Sequence, residues 1–220
     1  MKQNSHIIPS VVKDQRLIAQ RRQQIVEGAV RLFIQKGFHK TTTREIAKEC
    51  GLSIGTMYEY IQTKEDVLYL VCEYIHTQLE QRLRESVSDS DSARESLKKS
   101  VKNLFDTVNE MSSLIVLIYQ ETKSLPKDLM SYVLQKEEEI TRIFEKILLR
   151  GMEDGTLSVD ADSVKLMAHN IMVIGQMWAF RRWALSRYYD IEEYTKRQMS
   201  LIFEKLIPRG DEDGNRSASS

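Results

Sequence analysis

The chain has 220 residues, 41% hydrophobic and 29% charged, with a formal net charge of zero. Those proportions exclude global disorder, and the length suits one large helical domain or a small domain joined to a larger one. The charge is unevenly placed. Residues 1–64 hold eleven lysines and arginines against five acidic residues, and the remainder holds twenty-one against twenty-seven. A basic front on an acidic remainder suggests a polyanion-binding module on a carrier domain. Three prolines, nine glycines and little β-branched alternation favour long helices over a sheet. Cys50 and Cys72 lack metal-ligand spacing, as expected of a reduced, cytoplasmic protein. No stretch is apolar enough to span a bilayer and no signal-peptide core follows Met1, so no membrane partner is expected.

In chain order, residues 1–15 read as a flexible arm. A first helix over 16–36 carries Ile25, Ala29, Leu32 and Phe33 at helical spacing and stops at Gly37. Two short helices follow over 43–50 and 54–60, with Ser53 as N-cap of the second. A fourth, over 64–86, places Val67, Leu68, Val71, Ile75 and Leu79 on one side. Helices over 92–110, 113–123, 126–154, 162–187 and 190–207 complete an all-α chain of about nine helices. The segment 208–220 is polar and reads as a disordered tail. The division expected is an arm (1–15), a short basic module (16–64), a larger helical domain (65–207) and the tail (208–220).

The stretch from Thr41 to Asp66, TTTREIAKECGLSIGTMYEYIQTKED, carries the chemistry. Ala47 lets a second helix approach closely, and Gly51 supplies the backbone of a tight turn. Met57 and Tyr60 point inward. This is the sequence form of a helix-turn-helix, whose second helix presents its first residues to base edges in the major groove. Here those are Ser53, Ile54, Gly55 and Thr56. Gly55 lets the backbone approach DNA, and Thr56 offers a methyl and a hydroxyl. Tyr58, Tyr60 and Lys64 suit phosphates, as do the Thr43 hydroxyl and the long Arg44 side chain. The amino terminus of the fourth helix adds a favourable partial charge there. For Tyr60 a core position is an equal alternative.

The block from Arg21 to Leu70 resembles the DNA-binding region of the TetR family of bacterial repressors. The matching features are A-x-x-L-F-x-x-x-G-F from Ala29 to Phe38, T-x-x-x-I-A-x-x-x-G-x-S from Thr42 to Ser53, and G-T-x-Y-x-Y-x-x-x-K-E from Gly55 to Glu65. The resemblance implies that Thr43, Ser53, Gly55, Thr56, Tyr58, Tyr60 and Lys64 approach DNA. It also implies a helical carboxy-terminal domain that dimerises and holds an inducer. Ile54 stands where many members carry a lysine or polar residue, which leaves the operator sequence open.

The eighth helix, VKLMAHNIMVIGQMWAFRRWAL, is apolar on nearly every side. One side faces its own core, and the other is expected to meet a second copy of the chain, with Gly175 permitting close approach. Ile191, Tyr194, Met199, Ile202 and Leu206 of the ninth helix complete a four-helix interface. Polar residues among apolar faces nominate an inducer site: Asn103, Tyr119, Arg142, His169, Asn170 and Arg181, with Met111, Ile174 and Trp178 as walls. An apolar lining plus the Arg181-Arg182 pair suits an acyl ligand bearing phosphate or carboxylate, such as a fatty acyl-CoA. Each lone polar residue also has a bland reading as a structural hydrogen-bonding group.

The function expected is a ligand-responsive repressor that binds a palindromic double-stranded DNA operator as a homodimer and is released by a small apolar inducer. The fourth helix, which joins the two domains, is the expected lever. The alternatives are an activator or a ligand-independent regulator, and then a helical interaction protein or enzyme. Histidines at 6, 39, 76 and 169 have no cysteine or carboxylate partner at ligand or triad spacing. No catalysis, metal or cofactor is therefore expected.

Overall fold

The computed structural model describes residues 8–88 and 90–206, which form nine α-helices and no strand. In order these are α1 (Gln15–Lys36), α2 (Thr43–Glu49), α3 (Ile54–Tyr58), α4 (Lys64–Glu85), α5 (Ala93–Glu110), α6 (Ser112–Glu121), α7 (Lys127–Glu153), α8 (Val164–Leu185) and α9 (Ile191–Leu206). Short 3-10 turns, Thr122–Ser124 and Ala161–Ser163, precede α7 and α8. Among the described residues no helix is long and apolar enough to cross a membrane. The expected tail, 208–220, lies outside the described residues, as does the first half of the expected arm.

Cap chemistry sets the helix starts. Asp14 Oδ1 accepts from the amides of Arg16 and Leu17 ahead of α1. Thr42 and Glu45 form a reciprocal capping box on α2. Ser53 and Ser92 accept from the third amide of α3 and α5. Such caps contribute about 1 kcal/mol each. Gly37, at φ 86°, ends α1, and Gly51, at φ 66°, makes the turn between α2 and α3. Both conformations are strained for any residue with a Cβ.

The chain divides into two compact units, and the division differs from the one expected. The described part of the first comprises 8–78 with 113–137, and that of the second 79–112 with 138–206. The helix-turn-helix therefore does not stand alone. Its helices share a core with the start of α4. In the first unit that core is extended by Val67, Leu68, Val71, Cys72 and Ile75 of α4, all with no exposure. His39 also meets Glu121 of α6 at 3.1 Å.

Within the first unit, Ile25, Ala29, Phe33, Phe38, Ile46, Met57 and Ile61 are buried, with Phe33 and Phe38 edge to face at 5.3 Å. A Cβ at Gly28 would lie 2.5 Å from Cys50 Sγ, so the contact between α1 and the end of α2 requires glycine. Residues 8–14 are not a free arm. Ile8 is buried, its carbonyl accepts from Arg22 at 2.7 Å, and Ser10 and Val11 both donate to the Glu59 carbonyl.

In the second unit α5 packs on α8 and α9. Tyr194 of α9 stacks between Phe105 at 5.7 Å and Trp178 at 5.0 Å and donates to the Ile174 carbonyl. Burial pushes its phenol up to about 12. Gly175 corrects an expectation. Its missing Cβ would fall 2.9 Å from Leu104 and 3.2 Å from Phe105. The glycine admits α5 of the same chain and does not serve a second copy. The opposite side of α8 is apolar and open, with Leu166 63% and Val173 57% exposed, and Leu201 of α9 is 60% exposed.

Candidate nucleic-acid interface

The nine residues expected at DNA separate into an exposed set and a structural set. Ser53, Gly55 and Tyr58 are exposed, and Ile54 and Thr56 are half-buried on the first turn of α3. The Ser53 and Thr56 hydroxyls lie 2.9 Å apart, and Ser53 caps the Thr56 amide. Tyr58 reaches back to α2, its hydroxyl 3.2 Å from Thr43 Oγ1. Thr43 and Tyr58 thus meet on one surface, with exposed Arg44 next to Thr43 in sequence. Gly55 has nothing but Ser53 Oγ, at 3.8 Å, near its absent Cβ. Packing within the protein places no demand for glycine there, unlike at Gly28.

Tyr60 and Lys64 read differently. Tyr60 is a core aromatic, 4% exposed, and its carbonyl accepts from Arg22 at 3.1 Å. The Lys64 ammonium donates to the carbonyls of Phe38 at 3.0 Å and His39 at 3.5 Å and sits 4.3 Å from the Phe38 ring centroid. It ties the turn after α1 to the start of α4, so its charge is engaged inside the module. The amides before α4 are also occupied, since Asp66 accepts from Gln62 and Thr63. That carboxylate opposes the anion-attracting role expected of this helix start.

Other cations are already satisfied. Arg31 pairs with Glu49 at 2.7 Å and Lys36 with Glu45 at 2.5 Å. The Lys36 and Thr42 hydrogen bonds hold the Glu45 carboxyl down at about 2. Burial pushes Arg22 down, against the pull of Glu73 and Asp66. Arg44, Lys48 and Lys40 remain exposed and form no ion pair among the described residues. Lys40 and Lys48 escaped the sequence reading. The four-residue spacing of Arg44 and Lys48, which puts them on one face of α2, is the signal that finds the second.

The nine residues expected at an inducer are placed as follows. Tyr119 is in the first unit and 72% exposed. Arg142 and Asn170 are exposed, and Asn103 donates to the Arg82 carbonyl at 3.3 Å. Met111 closes α5, and Ile174 is engaged through its carbonyl by Tyr194. Arg181 and Arg182 divide: Arg181 lies 5.1 Å from the Trp183 ring, and Arg182 donates to Ser112 at 3.3 Å. Only Trp178 of the nine lines the open groove of about 540 Å³ in the second unit, with Asn109, Arg182, Tyr188, Tyr189 and Asp190. Its indole donates to Asn109 Oδ1 at 2.8 Å. His169 instead approaches Glu138 at 3.4 Å, and one ligand atom each from Glu138, Glu145 and His169 lie within 4.8 Å of one another. The sequence shows no metal spacing because these three come from two helices.

Two stretches of the chain match known families. Residues 25–69 match the family described as bacterial regulatory proteins, tetR family, and residues 90–181 match the tetracyclin repressor-like carboxy-terminal domain. The HTH-type transcriptional regulator HbdR of Aromatoleum sp. (strain CIB) is 28% identical over 91% of this chain and 86% of its own length. The fatty acid metabolism regulator protein of Bacillus subtilis (strain 168) is 24% identical over 63% of this chain and 72% of its own. The crystal structure of AibR in complex with isovaleryl coenzyme A and operator DNA shares the fold. Its TM-score is 0.71 at 19% identity, over 84% of this chain and 99% of that one.

Proposed function

Because this chain belongs to the TetR family of DNA-binding transcriptional regulators, we propose that it is a repressor that binds a palindromic operator as a homodimer and leaves it when an acyl-bearing ligand binds. The carrying observation is the surface shared by α2 and α3. There Thr43 and Tyr58 join hydroxyls across the two helices, beside a glycine that internal packing does not require. Ser53, Ile54, Gly55 and Thr56 would read base edges, with Ile54 supplying an apolar contact suited to a thymine methyl. Thr43, Tyr58, Arg44, Lys40 and Lys48 would hold phosphates.

The dimer reading rests on Leu166, Val173 and Leu201, large apolar side chains left in water on α8 and α9. A two-fold pair suits a palindromic operator, whose half-sites lie about one turn of DNA apart. The ligand class rests on the relatives: one is named a fatty acid metabolism regulator, and AibR was solved with isovaleryl coenzyme A. The groove with Trp178, Tyr188, Tyr189 and Arg182 offers aromatic faces and a cation for such a molecule. Release follows if the ligand favours a dimer whose α3 helices no longer match successive grooves, by the difference in its affinity for the two states. The unbroken α4 contributes to both units and is the natural lever.

A gel-shift on the DNA upstream of its own gene, repeated across salt concentrations and with short- and long-chain acyl-CoAs, tests this reading. Tight binding that weakens steeply with salt and is released by an acyl-CoA supports it. Release by none of them removes the ligand class. A reporter that falls when the gene is deleted overturns repression in favour of activation.

A further inference from the structure

We propose that Glu138 and Glu145 of α7 and His169 of α8 form a binding site for a divalent transition-metal ion of the zinc class. The inference is independent of the repressor reading. Glu138 and Glu145 are seven residues apart, two turns on one face of α7. His169 comes from α8, and the three ligand atoms lie within 4.8 Å of one another. Around a tetrahedral ion with bonds of about 2.1 Å, neighbouring ligand atoms sit about 3.4 Å apart. The His169–Glu138 pair, at 3.4 Å, already has that spacing. Small rotamer adjustments of Glu145 would close the set.

A second observation supports a cation there. Glu145 Oε1 is buried without a hydrogen-bond partner. A carboxylate oxygen removed from water and left unpaired is costly, and a cation in the cluster satisfies it. The Lys165 ammonium, 3.3 Å from Glu138 Oε1, competes with a metal for that carboxylate. Two carboxylates and one imidazole suit zinc better than magnesium or calcium, which take oxygen ligands. Three protein ligands leave a fourth position for water or for a donor atom of another molecule.

The test uses the full chain, freed of metal by chelation and titrated with zinc chloride in a calorimeter, with magnesium chloride as control. The expected result is one zinc ion per chain, a rise in melting temperature with zinc, and no response to magnesium. Glu145→Gln and His169→Gln should each weaken zinc binding at least about tenfold. Without metal, Glu145→Gln should melt no lower than the parent, because the unpaired carboxylate is gone. Lys165→Ala should bind zinc more tightly. Zinc bound equally by the parent and by His169→Gln, a half-exposed position where misfolding is not at issue, would assign the ion to other histidines or the thiols and overturn the site. Absence of any zinc-dependent heat or melting shift would overturn it as well.

Discussion

In the α1–α3 module each glycine has one identifiable task. Gly28 admits Cys50, Gly37 and Gly51 turn the chain, and Gly55 leaves an outward surface open. In the second unit Gly175 performs the inward task on α8, while the outward side of that helix is held by large apolar residues. A polar, hydroxyl-lined, cation-bearing edge suits a hydrated polyanion, and an apolar outer face suits another protein surface. The contrast teaches that a helix's outward face, more than its core, declares its partner.

The largest effect should come from making the back resemble the front. Replacing Val173 and Leu201 together by Glu should convert a dimer to a monomer in sedimentation and lower operator affinity by about a hundredfold or more, since the two half-sites are then bound separately. A dimer that survives both charges would place the interface elsewhere.

The two kinds of glycine in the front are distinguished by Gly28→Ala and Gly55→Ala. The first forces Cβ against the Cys50 sulfur and should cost about 1–3 kcal/mol in denaturant melts. The second should leave stability unchanged or raise it by up to about 1 kcal/mol, while weakening DNA binding. A Gly55→Ala protein that binds DNA like the parent would remove α3 from the interface.

Arg44→Ala and Lys64→Met separate phosphate contact from internal tie. Losing Arg44 should reduce the slope of log affinity against log salt by about 1. Losing Lys64 should lower the melting temperature and leave that slope unaltered, because its ammonium is occupied by the Phe38 and His39 carbonyls. An unchanged melting temperature with a shallower slope would restore Lys64 to the phosphates.

The smallest effect concerns pH. The Glu45 carboxyl, held at about 2 in the folded protein against an ordinary 4.5, is a depressed group. Its contribution is present in full above pH 4.5 and is lost as pH falls toward about 2. The stability gap between the parent and Glu45→Gln should therefore narrow across that window and be constant above it. A gap that does not change there would mean that the exposed Lys36–Glu45 pair contributes nothing measurable.

The fold was legible because helix boundaries follow local rules: Asp14, Thr42, Ser53 and Ser92 at starts, Gly37 and Gly51 at stops. The exposed edge, Thr43 through Tyr58, was legible for the same reason, since a short motif fixes both helices and the turn. Lys64 was not, because a lysine that donates to carbonyls 25 and 26 residues earlier looks in sequence like any exposed cation. The effector region was not legible either. Apolar lining and polar punctuation nominate residues by type, but Arg142 and Asn170 point to solvent while Asn109, Tyr188 and Tyr189 frame the groove. The Glu138, Glu145 and His169 cluster joins two helices, which no spacing rule along one chain detects.

The hydroxyl pair of Thr43 and Tyr58 has a thermodynamic consequence. A tyrosine waiting for a phosphate on an open surface samples several rotamers, and freezing one on binding costs about 0.5–1.5 kcal/mol. Here the Tyr58 hydroxyl lies 3.2 Å from Oγ1 of a threonine already fixed in the capped first turn of α2. For the proposed phosphate contact, much of that ordering is then completed during folding. Removing the anchor with Thr43→Val would leave the tyrosine hydroxyl in place, and its loss would appear in calorimetry as a less favourable binding entropy.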